Sequence, residues 1–94
     1  MSVFCLIEIS IHDTKLYEEY MRVVPDVIKK YNGRYIIRSG SITPVTDDWT
    51  PDRIILIEFD SMDQLTRCFT SEEYKKIAPL REKSTKTRSI IIEN

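Results

Sequence analysis

The sequence predicts an α+β fold, a four-stranded sheet with helices on one of its faces, and three features predict it. Four short segments, Val3 to Ile9, Tyr35 to Ser39, Arg53 to Phe59 and Thr87 to Glu93, have the length and the β-branched, apolar composition of strands. Two longer stretches between them carry apolar residues at helical spacing behind capping residues. The strands are apolar at both parities, so the sheet is oily on both faces.

The first strand runs from Val3 and is followed by Asp13, whose carboxylate suits the N-cap of a helix. Leu16, Tyr20, Val23, Val24, Val27, Ile28 and Tyr31 then form one apolar stripe. Pro25 falls inside it and removes a backbone donor, which predicts a kink or a helix that restarts there. Asn32-Gly33 ends the helix, with the glycine expected to take the left-handed conformation. After the second strand, the segment from Gly40 to Asp52 holds Pro44, Asp47, Asp48, Trp49 and Pro51, a long polar connection with one indole. The third strand leads to Ser61, which with Gln64 has the spacing of a capping box. Leu65, Cys68 and Phe69 are the buried side of that helix. Ser71 caps a further segment with Tyr74, Ile77, Ala78, Leu80 and Arg81, interrupted by Pro79. The resulting order, β-α-β-β-α-β, is the ferredoxin-like arrangement.

Size and composition narrow the function classes. The 94 residues are read as one domain covering 1–94. A domain of this size buries only about 60–65% of its unfolded surface, so association with a partner would add to a thin stability margin. Fourteen basic residues nearly balance fifteen acidic ones, which argues against nucleic acid or an acidic membrane as the main partner. The basic group Lys75, Lys76, Arg81, Lys83, Lys86 and Arg88 is read first as a solvated face. Two cysteines, neither in a CxxC pair, and a single histidine predict no metal site and no bound cofactor. Both thiols are read as small core residues of a protein in a reducing, cytoplasmic setting. The apolar run from Val3 ends at Glu8 and is read as a strand, not a signal peptide. No stretch approaches the roughly 20 apolar residues of a membrane span.

Alternation along the strands gives each residue a face. Val3, Cys5, Ile7 and Ile9 point one way in the first strand, with Ile55, Ile57 and Phe59 in the third. Phe4, Leu6, Ile54, Leu56, Ile90 and Ile92 point the other way. Helices on one side cover only one of these faces. At about 25 cal/mol per Å² of apolar area, leaving the second face wet forfeits several kcal/mol. The simplest cover is the same face of a second copy, packed about a two-fold axis. Glu8 and Glu58 share the second face but fall at opposite ends of antiparallel strands, too far apart for a paired acid and base. The same parity count puts Arg34 and Arg38 on that face, and Arg38 is expected to reach Glu8.

Several segments match a known pattern: Tyr17-Glu18-Glu19-Tyr20, Tyr31-Asn32-Gly33-Arg34-Tyr35 with Arg38-Ser39-Gly40, the Trp49 loop leading to Arg53, Glu58-Phe59-Asp60-Ser61, and Ser71-Glu72-Glu73-Tyr74 followed by Arg81. With these the whole chain resembles the domain-of-unknown-function-1330 family, in the dimeric α/β-barrel superfamily. It departs from the family pattern at Asn32-Gly33, where paired glycines are usual, and at Arg38-Ser39-Gly40, where the family has Arg-Gly-Gly. The resemblance implies a ferredoxin-like protomer and a homodimer, and no reaction. The wider superfamily includes cofactor-independent monooxygenases, haem-degrading enzymes and small isomerases, among which fold does not choose.

Candidate functional residues follow from side-chain chemistry. Arg38, Trp49, Arg53, Tyr74 and Arg81 are the candidate ligand-binding set, because arginine grips a carboxylate at two points and an indole offers a flat apolar wall. Such a set suits a small acidic or aromatic molecule between sheet and helix. The plainer reading pairs Arg38 or Arg53 with Glu58 and packs Trp49 over a partner. Glu58 and His12 are the candidate bases for metal-independent proton transfer or oxygen chemistry. For His12 an exposed turn is the plainer reading, and for Tyr17, Tyr20, Tyr31 and Tyr74 a core with hydroxyls in water. No nucleophile elbow and no phosphate loop is present. Two functions stand side by side: a homodimer that binds, with or without transforming, a small organic molecule in a pocket beside the sheet, and a non-catalytic structural or regulatory dimer.

Overall fold

A computed structural model describes residues 2–94. The chain runs β1 (Val3–Ile11), α1 (Thr14–Lys30), β2 (Arg34–Ser39), β3 (Arg53–Phe59), α2 (Met62–Phe69), α3 (Glu72–Ser84) and β4 (Thr85–Glu93). The strands form one antiparallel sheet in the order β2-β3-β1-β4. This is the ferredoxin-like order, with the second helical connection split into α2 and α3. The caps are where local chemistry places them. Asp13 accepts from the Leu16 N–H at 3.1 Å, Ser61 from Gln64 at 3.2 Å and Ser71 from Tyr74 at 3.1 Å. The reciprocal half of the capping box is not made, because Gln64 Oε1 is buried without a partner.

The helices lie on the face that carries Val3, Cys5, Ile9, Ile55, Ile57 and Phe59. These residues pack with Tyr17, Tyr20, Val24 and Ile28 of α1, Leu65 and Cys68 of α2 and Tyr74 of α3. α1 continues through Pro25 without restarting. Proline leaves the carbonyl four residues earlier without its helical donor. Val24 and Ile28, buried on either side of it, hold the stripe against the sheet.

The stop at the end of α1 differs from the expected one. Asn32, not Gly33, takes the left-handed conformation, with φ 63°. Gly33 is needed for space: a Cβ there would stand 2.6 Å from Ile28 Cγ2 and 2.8 Å from Phe59 Cε1. The glycine lets the chain enter β2 directly over the most buried ring of the core.

Strand pairing sorts the side chains into rows. On the open face, Ile37, Leu56, Leu6 and Ile90 form one row across all four strands. Arg34, Glu58, Phe4 and Ile92 form the row at one end, and Ser39, Ile54, Glu8 and Arg88 the row at the other. The face is apolar in the middle and charged at its margins, and no element covers Ile90 or Ile92, which are 57% and 43% exposed. β2 contains a bulge. Tyr35 pairs with Ile57 and Ile37 with Leu56, leaving Ile36 as the extra residue. One extra residue inverts the parity of everything after it. Arg38 therefore pairs with Ile55 and lies on the helix side, opposite to its expected face.

Candidate functional site

Between the helices and the sheet lies a cavity of about 420 Å³. Its floor is Cys5, Ile7 and Ile9 of β1 with Ile55 and Ile57 of β3, and its roof is Met21, Val24 and Ile28 of α1 with Leu65 and Phe69 of α2. Thr87, Ser89 and Ile91 of β4 complete it, and the exposure of Ser89 and Ile91 marks the side where it opens. The volume is within the range of small-molecule pockets, about 300–1,000 Å³.

Among the polar side chains that line this largely apolar space, with Tyr35, Thr87 and Ser89, three join in one hydrogen-bonded group. Tyr20 and Tyr74 join hydroxyl to hydroxyl at 3.0 Å, and Arg81 Nε donates to the Tyr74 oxygen at 3.2 Å. Helix geometry sets the group: Arg81 lies seven residues, two turns, after Tyr74 on the same face of α3. Phe69 meets the Tyr74 ring edge-on at 5.0 Å and fixes its plane. Proton counting then defines what the group offers. The two phenols hold two O–H protons, and one is used between them. Arg81 fills an acceptor position on Tyr74, so one phenolic O–H remains to donate, together with the outer N–H groups of Arg81. Burial raises the Tyr20 pKa, and the neighbouring Tyr74 raises it further, so the Tyr20 phenol stays protonated near neutral pH. Burial also pushes the Cys5 thiol up to about 11 and Cys68 to about 12, which keeps both as thiols. Among the described residues, no Asp, Glu or His lines the cavity. Its polar end is a set of donors matched to a carboxylate, carbonyl or phenolate oxygen.

The structure brings together two of the expected ligand-binding residues, Tyr74 and Arg81, and adds Tyr20. Arg38 and Arg53 lie on the same side of the sheet but outside the cavity wall. Trp49 is on the opposite face, where its indole N–H donates to the Glu8 carboxylate. Glu8 also accepts from Arg88 Nε at 2.7 Å, its direct cross-strand neighbour. These two donors hold its carboxyl below the usual carboxylate range. The expected Glu8–Arg38 contact is therefore absent, because the β2 bulge sends Arg38 to the other side. Glu58 is on the open face with Arg34, whose Nε stands 3.4 Å from it and whose Nη2 is 2.9 Å from Asp60. His12 is exposed at the end of β1, its backbone N–H bonded to the Ser84 carbonyl at 2.7 Å. Neither candidate base faces the cavity.

The sequence matches the profile described as Domain of unknown function (DUF1330) over residues 2–94. The chain belongs to the DUF1330 family. No curated protein matches it. Solved structures with the same fold are distant in sequence. A protein of unknown function from Rhodopseudomonas palustris superposes with a TM-score of 0.85 at 13% identity, covering 99% of this chain and 82% of that one. A dimeric ferredoxin-like protein of unknown function from Jannaschia sp. CCS1 gives 0.78 at 8% identity, with 100% of each chain covered. SnoaB, a cofactor-independent oxygenase from Streptomyces nogalater, gives 0.74 at 8% identity, covering 99% of this chain and 92% of that one. At these identities the likeness establishes the ferredoxin-like fold of this DUF1330 protein. Its chemistry has to come from its own residues.

Proposed function

We propose that this DUF1330 protein is a homodimer that binds a small acidic or aromatic molecule in the helix–sheet cavity. The observation that carries the reading is the Tyr20–Tyr74–Arg81 group at the polar end of a largely apolar space. An apolar body is held by the aliphatic walls, and one anionic or carbonyl oxygen is held by Arg81 and the spare phenolic proton. Arg81 has no carboxylate partner among the described residues, so a ligand carboxylate would supply the missing counter-charge. The dimer reading rests on the uncovered apolar row Ile37–Leu56–Leu6–Ile90 and on the dimeric state stated for the Jannaschia protein of the same fold. Glu58, Arg34 and Asp60 with Glu8, Arg88 and Trp49 then belong to the margins of that interface, where charge sets register between copies. A cavity whose polar groups are hydroxyls and a guanidinium, with no carboxylate or imidazole among the described lining residues, suits binding and oxyanion stabilisation. Proton abstraction within it would need a base brought by the ligand or by solvent.

Calorimetric titration with benzoate and with neutral benzyl alcohol tests the cavity. Saturable benzoate binding is expected, with little response to the alcohol. Arg81→Met should abolish it, and Tyr74→Phe should weaken it by about tenfold, the value of one hydrogen bond to a charged group. A panel of aromatic acids with no saturable response, or binding that survives Arg81→Met, would count against the reading.

A further inference from the structure

The end of the sheet where β1 leaves and β3 begins holds a second group of unmatched polar atoms. Arg38 pairs across strands with Ile55, and Arg53 is two residues before Ile55 on the same helix-side face. That places the two arginines diagonally, in adjacent rows, within reach of one small ligand. Tyr17, in the first turn and a half of α1, lies above them. The residue is 4% exposed and its hydroxyl has no hydrogen-bond partner among the described residues. Arg53 Nε is likewise buried and unpartnered, although the Arg53 guanidinium stands next to that hydroxyl. The backbone is shaped for this: Arg53 runs across Gly40, where a Cβ would be 3.7 Å from its Cγ and 3.8 Å from Nη1. Arg38 is laid over the Tyr35 ring with its carbon Cζ 4.8 Å from the centroid, which fixes the guanidinium and leaves its edge free.

The nearby carboxylates are used elsewhere. Asp13 caps α1, and Asp52 Oδ2 accepts the Ile11 N–H at 2.8 Å. None of the ion pairs among the described residues includes Arg38 or Arg53. Two cations therefore lie beside a buried phenol whose oxygen can accept from Arg53 but whose O–H has nothing to donate to, and no anion among the described residues is paired with either arginine. A buried donor without an acceptor is costly, and adjacent guanidiniums repel. One oxyanion resolves both, since its oxygens accept from two guanidiniums and from a phenol at once.

We propose that Arg38, Arg53 and Tyr17 form an oxyanion site, separate from the cavity and independent of the reading given for it, that takes a carboxylate or phosphate group. Arg53 is the inner anchor, Arg38 the outer clamp on the edge strand, and Tyr17 the donor that closes the site from the helix.

The test compares phosphate, acetate and chloride at matched ionic strength, followed by the side-chain Nε–Hε NMR signals of the full chain. Saturable shifts of the Arg53 and Arg38 signals are expected with phosphate or acetate and not with chloride. Preference between the two anions assigns the group to the phosphate or carboxylate class. Arg38→Met sits on an exposed edge and leaves the core intact; it should weaken binding about tenfold or more. Tyr17→Phe should weaken it severalfold. Arg81→Met, which removes the cavity's own anchor, should leave these shifts in place, so failure of the cavity reading and failure of this one are distinguishable. Equal responses to all three anions, or binding indifferent to Arg38→Met and Tyr17→Phe, would overturn the proposal.

Discussion

The two faces of the sheet are built from nearly the same amino acids and are in opposite physical states. On the helix side, Ile57 is 2% exposed and Phe59 is fully buried. On the open side, Leu6, Ile54 and Leu56 of the same central strands are only half-buried, and on the edge strand β4 Ile90 and Ile92 are about half in water, as is Ile91 on the helix side where the cavity opens. The difference lies in what each face is given to pack against. α1 and α3 close over β1 and β3, whereas the open face has only the loop bearing Trp49 at one margin, tied to Glu8. Hydrophobicity alone therefore does not define the core. The connections do, and the uncovered face keeps its driving force for burial against another surface.

The largest expected effect comes from comparing Phe59→Ala with Ile92→Ala under conditions where the protein is monomeric. Phe59 touches Phe69 edge-on at 6.0 Å and closes the space beneath Gly33. Its removal leaves a cavity that the fixed α1–β2 turn cannot fill, at a cost of about 3–5 kcal/mol in denaturant unfolding. Ile92→Ala should cost well under about 1 kcal/mol in the monomer, because its side chain already meets water. Equal costs would show that the open face is packed in the free chain and would remove the contrast between the faces.

The next effect concerns association. Leu56 is near the middle of the apolar row and one strand in from the edge. Leu56→Glu places a charge where the second copy is expected, and burying it unpaired costs several kcal/mol. Sedimentation should show monomers at concentrations where the natural chain forms dimers, with an unchanged far-ultraviolet circular dichroism spectrum. A natural chain that sediments as a monomer throughout would remove the second copy as the cover.

Comparison of the faces also shows which parts of the molecule could be read from local pattern. The strands and the caps at Asp13, Ser61 and Ser71 were legible because each depends on a few neighbouring residues. The facing of Arg38 was not. Parity holds only while the strand stays regular, and Ile36 breaks it. The run Tyr35-Ile36-Ile37, flanked by Arg34 and Arg38, breaks the period-two alternation of a regular strand and was the available sign of a bulge. Asn32-Gly33 was legible as a stop but not in its division of labour, since the space above Phe59 depends on a strand 26 residues further on. In the cavity, Tyr74 and Arg81 stood out as polar residues on one helix. Tyr20 did not, because its partner is 54 residues away and a tyrosine on an apolar stripe looks like core.

The smallest effect tests the margin of the open face, where Glu8 is held by Arg88 and Trp49. Both donors favour the carboxylate, so the folded-state pKa is below the ordinary value of 4.5. A group with a depressed folded pKa contributes stability that is fully present above its unfolded pKa and is lost as pH falls through the folded value. Glu8→Gln should therefore melt slightly below the natural chain at about pH 7. The gap should start to close as pH drops below about 4.5 and vanish once the folded carboxyl is protonated. Thermal melts of both proteins across that range measure it. In a free chain the contribution is small, because this carboxylate meets solvent and salt screens it. In a dimer packed over the open face the same group loses water, and protonation breaks bonds to Arg88 and Trp49 that nothing else can satisfy. A pH dependence that grows with protein concentration would place Glu8 inside the interface. One that does not change with concentration would leave it on a free surface, and the uncovered rows of the sheet would need another occupant.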